Sequence, residues 1–111
     1  MEVKVIWTDS AILQLEDIFD YYKLKSSLKV ARNMALSIVE TADLLKTNPL
    51  LGAKEPLLIN RKGDYRFLIE RNYKIIYLNN PDFVSVVAVF DCRRNPIRVE
   101  MLCEPVINSE K

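Results

Sequence analysis

Chemistry in this chain has to come from its cations. Between positions 60 and 100 lie Arg61, Lys62, Arg66, Arg71, Lys74, Arg93, Arg94 and Arg98, against Asp64, Glu70, Asp82, Asp91 and Glu100. The surplus there is three positive charges, whereas the first 59 residues hold seven cations and eight carboxylates. Guanidinium and ammonium groups gathered in one half of a molecule can hold phosphates or an acidic surface, or stabilise a charged transition state. Proton transfer is harder to staff. The chain has no histidine, so acid–base work falls to Tyr, Lys, Arg, Asp or Glu. Its two cysteines, Cys92 and Cys103, form no Cys-x-x-Cys and read as reduced thiols. Two thiols without imidazole do not make a zinc site, and Asp91-Cys92 without a histidine does not make an activated nucleophile. No metal or cofactor is expected.

The elements that position these groups follow from pattern. The 111 residues fit one domain, 1–111, and half of them are hydrophobic. A net charge of +1 excludes a protein that coats nucleic acid by bulk charge. No apolar run approaches the roughly 20 residues that span a bilayer, and Met1 to Trp7 does not read as a signal peptide. The expected location is the cytoplasm, with no membrane partner.

Val3, Val5 and Trp7 alternate with polar neighbours, as a strand requires. Thr8-Asp9-Ser10 supplies capping oxygens, and Leu15, Ile18, Phe19 and Tyr22 then make one helical stripe to about Leu24. Ser26-Ser27 can cap a second helix. Its stripe of Ala31, Met34, Ala35, Ile38, Ala42 and Leu45 runs until Asn48-Pro49. The short break makes the pair a helical hairpin. A loop from Pro49 to Pro56 follows, then a short strand at Leu57 to Asn60. Tyr65–Glu70, Tyr73–Leu78 and Phe83–Asp91 are rich in aromatic and β-branched residues and read as strands. Arg71-Asn72 is a tight turn in which Asn takes positive φ. Val84 to Phe90 is apolar on both faces and belongs inside the sheet. Tyr65, Tyr73 and Tyr77 read as core and cross-strand residues before they read as base-stacking platforms. Arg98 to Cys103 is a short helix or edge strand, and 104–111 a frayed tail. A helix run followed by a strand run implies α+β, with the hairpin on one face of a small antiparallel sheet.

These residues resemble a known family. Val5-Ile6-Trp7-Thr8 before a helix, Asn48-Pro49-x-x-Gly52, Tyr65-Arg66, Asn72-Tyr73-Lys74-Ile75-Ile76-Tyr77, and Val89-Phe90-Asp91-Cys92-Arg93-Arg94-Asn95-Pro96 are similar, in that order, to RelE/ParE toxins of type II toxin–antitoxin systems. The resemblance covers roughly residues 3–97 and implies a β-α-α-β-β-β(-β) fold. It also implies growth inhibition, an antitoxin protein as partner, and one of two targets. RelE-like members cut mRNA on the ribosome; ParE-like members inhibit DNA gyrase. In the cleaving members, cations on adjacent strands stabilise the transition state. Arg66, Lys74 and Arg93 or Arg94 occupy matching places. A tyrosine or histidine near the C-terminus moves protons in those members, and here neither follows Arg94. Asp91 or Glu100 would have to substitute. That departure, with the long hairpin, favours gyrase-type inhibition through Arg61, Lys62, Arg66, Arg71, Lys74, Arg93 and Arg94, with mRNA cleavage as the alternative and an inactive binding partner as a third. An antitoxin segment is expected on the strand Val3 to Trp7 or on Leu57 to Asn60.

Overall fold

The computed structural model describes residues 2–92. Strand β1 (Lys4–Trp7) leads into helices α1 (Asp9–Lys25) and α2 (Leu28–Asp43). A 3-10 turn (Leu44–Lys46), strand β2 (Ala53–Lys54) and a second 3-10 turn (Pro56–Leu58) follow, then β3 (Asp64–Glu70), β4 (Tyr73–Asn79) and β5 (Phe83–Asp91). Arg93, Arg94, Arg98 and Cys103, and the expected frayed tail, lie outside the described residues.

The helix starts are local chemistry. Thr8 Oγ1 accepts from Ala11 N at 3.1 Å, and Ser27 Oγ from Val30 N at 3.1 Å. Each satisfies a backbone donor that helix geometry leaves unpaired, an arrangement that contributes about 1 kcal/mol. Only Ser26 and Ser27 separate the helices. The apolar stripes then meet the sheet: Ala11, Ile18, Met34, Ile38 and Ala42 bury against Tyr73, Ile75, Val86 and Val89. Leu45 extends this layer onto Tyr77 and Val84. Trp7 packs at its margin, as its place on the first strand suggests.

The sheet order is β1-β5-β4-β3-β2. From β2 to β5 it is antiparallel, but β1 pairs with β5 in parallel. The helices carry the chain from β1 across to β2 at the opposite edge, so no tight hairpin ties β1 to its neighbour β5 and the sheet is mixed. β5 lies inside it as expected. Between the pairs Ile76↔Ala88 and Tyr77↔Val86 the register slips by one residue, leaving Val87 as a bulge. The slip lets Val84, Val86 and Val89 face the helices while Val87 and Ala88 join Leu58, Tyr65 and Ile76 on the other face.

Two local expectations are corrected. Residues 57–60 form no strand; the edge strand comes earlier, at Ala53–Lys54. Pro56 lacks an N–H for a ladder, and the Glu55 carboxylate accepts from Leu57 N at 2.9 Å, which turns the chain. In the β3–β4 turn, Arg71 rather than Asn72 takes the left-handed conformation, with φ 57°.

Candidate functional site

Strand alternation decides which cations can meet. In the β3–β4 ladder Ile69 opposes Lys74, Phe67 opposes Ile76 and Arg66 opposes Tyr77. Successive side chains point to opposite faces, so Lys74 shares a face with Phe67 and Ile69. Arg66 lies on the other face, with Leu68 and Tyr77, toward the helices. Of the four cations singled out for catalysis, Arg66 and Lys74 are therefore on opposite sides of the sheet, and Arg93 and Arg94 lie outside the described residues.

Each is also held by a carboxylate. Lys74 Nζ lies 2.6 Å from Glu55 Oε1 and 4.3 Å from the centroid of the Phe67 ring. The Glu55 side chain is 0% exposed and that of Lys74 18%. The two charges are in direct contact at Oε1, and Oε2 accepts from Leu57 N at 2.9 Å. The mutual attraction offsets part of the cost of taking the two charges out of water, and the aromatic face adds cation–π attraction. Nothing in the spacing of the sequence marks Glu55 as the partner. The clue available there was a lone carboxylate before Pro56 in an otherwise apolar stretch.

On the opposite face Arg66 Nε contacts both Asp64 oxygens at 3.1 Å, and its Nη1 donates to Gly52 O at 2.8 Å. Lys54 Nζ reaches Asp64 Oδ1 at 2.6 Å and Asn79 Nδ2 donates to Oδ2 at 3.1 Å. Burial pushes the Asp64 carboxyl up, but these donors and the Arg66 charge outweigh it and bring the pKa down from 3.8 to about 2. The cluster clamps residues 49–52 to the sheet. Tyr77 Oη completes it, donating to Pro49 O at 2.8 Å and accepting from Gly52 N at 2.9 Å. Burial raises the Tyr77 pKa above 10.0.

Of the remaining candidates, Arg71 stands at the β3–β4 turn with Nε 3.6 Å from Glu70 Oε2. Arg61 is half-buried and Lys62 exposed in the bend before β3. The described cations of the sheet half are thus spread over two faces and two loops. The tyrosines read as core are core: Tyr65, Tyr73 and Tyr77 are all buried. No helix among the described residues is long and apolar enough to cross a membrane.

A helical hairpin on one face of a five-stranded mixed sheet is the architecture of a known toxin fold. A chain of a solved structure titled "Chromosomal ParDE TA system from P. aeruginosa" matches with a TM-score of 0.68 and 22% identity, over 81% of this chain and 96% of that one. The family model described as "ParE toxin of type II toxin-antitoxin system, parDE" matches residues 5–96. The chain belongs to the ParE toxin family. A search of curated proteins finds no match.

Proposed function

We propose that this chain is the toxin of a type II toxin–antitoxin pair, that it arrests growth by binding its target without covalent chemistry, that DNA gyrase is that target, and that a cognate antitoxin neutralises it. The observation that carries the non-covalent reading is the Glu55–Lys74 pair. A strand lysine that is to stabilise a transition state must present its charge to substrate. Here Lys74 is spent on a buried carboxylate beneath Phe67. Arg66 is engaged by Asp64 on the opposite face, so the two do not converge on one scissile phosphate. The sequence supplies no histidine, and no tyrosine after Tyr77, to move a proton.

The antitoxin reading rests on the family and on an open edge. Among the described residues β1 has a strand neighbour, β5, on one side and none on the other; Val3 N, just before it, donates to Lys46 O at 2.9 Å, and Ile6 is exposed. An exposed strand edge accepts an added strand. Of the two expected edges, Val3 to Trp7 supports this reading, whereas Leu57 to Asn60 is a 3-10 turn and a following turn, with no strand.

Induction of the chain alone in bacteria tests the proposal. Gyrase inhibition is read as DNA-damage signalling while translation continues. Prompt translation arrest with cut mRNA would instead support the ribosome-dependent endoribonuclease reading through Arg66, Lys74 and Arg93 or Arg94. Undisturbed growth would leave an inactive family member that acts as a binding partner.

A further inference from the structure

Ion pairs within the described residues take up Lys46, Lys54, Arg66, Arg71 and Lys74. The uncompensated charge is elsewhere. Lys23, Lys25, Lys29 and Arg32 are exposed and make no ion pair within the described residues. From position 21 to position 39 they are the charged residues, with no Asp or Glu among them. Because α1 ends at Lys25 and α2 begins at Leu28, the turn gathers all four at one end of the hairpin. Two leucines stand among them in solvent, Leu24 at 86% exposure and Leu28 at 46%.

Local stability does not explain this arrangement. Lys23 and Lys25 suit the negative end of the α1 dipole. Lys29 does not suit its place. It occupies the first turn of α2, which holds no acidic residue, at the positive end of that helix. A helix start alone would favour a carboxylate there, and Leu24 is the most exposed large apolar side chain among the described residues. A cationic helix start beside that leucine marks a surface shaped by something other than folding.

We propose that the hairpin tip, Lys23, Leu24, Lys25, Leu28, Lys29 and Arg32, docks the toxin on its target, and that the target surface is a protein cleft with an apolar floor and a rim of carboxylates. This rests on the reading of the chain as a toxin that acts by binding. The leucines exclude a nucleic-acid backbone as the favoured occupant, since apolar side chains gain nothing against phosphates. Asp17 and Asp20, exposed a turn earlier on α1, would oppose phosphates as well. An apolar anchor ringed by cations fits an acidic protein cleft, where the anchor supplies affinity and the rim supplies association rate.

The test uses the full chain induced without antitoxin. One variant carries Lys23→Gln, Lys25→Gln, Lys29→Gln and Arg32→Gln; a second carries Leu24→Ala and Leu28→Ala. Thermal melting confirms that both fold, and capture by the cognate antitoxin and by a random-sequence DNA duplex is measured beside growth. The expected result is growth arrest weakened roughly tenfold or more in both variants, with melting and antitoxin capture as in the parent. A toxic parent with equally toxic variants overturns the docking surface alone. So does loss of antitoxin capture in step with toxicity, which makes the tip the antitoxin's seat. So does an effect confined to the glutamine variant together with lost DNA capture. A parent that leaves growth untouched overturns the toxin reading and the docking surface with it.

Discussion

Lys74 shows how one neighbour changes the meaning of a residue. By type and strand position it reads as a catalytic cation, but Glu55 at 2.6 Å and Phe67 above it make it part of the packing of the second sheet face. Removing one partner of a buried pair strands the other charge, which costs about 3–5 kcal/mol where both are buried and less where one reaches solvent. Lys74→Ala is therefore expected to destabilise the fold by about 2–4 kcal/mol. Lys74→Met combined with Glu55→Leu is expected to recover most of that loss, as a denaturant double-mutant cycle would read. Equal stability of Lys74→Ala and the parent would contradict the assignment. Asp64 gives a pH signature. Its folded pKa of about 2 lies below the ordinary 3.8, so its contribution is present above pH ~4 and is lost as pH falls from about 4 toward 2. At a site a quarter open to solvent this is about 1–2 kcal/mol. Asp64→Asn should flatten that part of the acid-stability curve, and an unchanged acid limb would deny the clamp. At Gly52, a Cβ would stand 2.5 Å from Phe67 O and 2.9 Å from the Tyr77 ring. Gly52→Ala is expected to cost about 1–3 kcal/mol by chemical denaturation, because the 49–52 segment must lift off the sheet.

At the scale of elements, the sequence was most legible where one physical signal acted alone. The stripe Ala31, Met34, Ala35, Ile38, Ala42 and Leu45 has a single helical period, and the structure buries all of it but Ala35, which is half-buried. Thr8 and Ser27 announce their helices because a hydroxyl satisfies an orphan N–H within three residues. Ser27→Ala should lower stability by about 1 kcal/mol in thermal melting. Legibility failed where distant residues decide the outcome. Leu57 to Asn60 has strand composition, but Pro56 and the Glu55 carboxylate bend it into a 3-10 turn. The direction of β1 is set by its pairing with β5, the last described strand, and no local pattern encodes that partner. The bulge at Val87 is equally silent in a strand that is apolar throughout. The candidate site failed for the same reason. Composition placed the cations in one half of the chain, whereas strand parity put Arg66 and Lys74 on opposite faces and tertiary contact supplied their carboxylates.

For the whole molecule, the charge count and the charge map diverge. The sheet half holds the surplus in sequence, yet Arg66, Arg71 and Lys74 are paired within the fold, as is Lys54 on β2. Among the described residues, four of the cations without such pairs, Lys23, Lys25, Lys29 and Arg32, gather at the far end of the helical hairpin. Internal pairing of the described strand cations, with lysines beside exposed leucines at the hairpin tip, supports the proposal that the chain acts by association. The most direct measurement is to map the 5′ ends of cellular mRNA after the chain is induced without its antitoxin. Binding-only toxicity predicts that growth stops with no new ends. New ends phased to ribosomal codons would contradict the account.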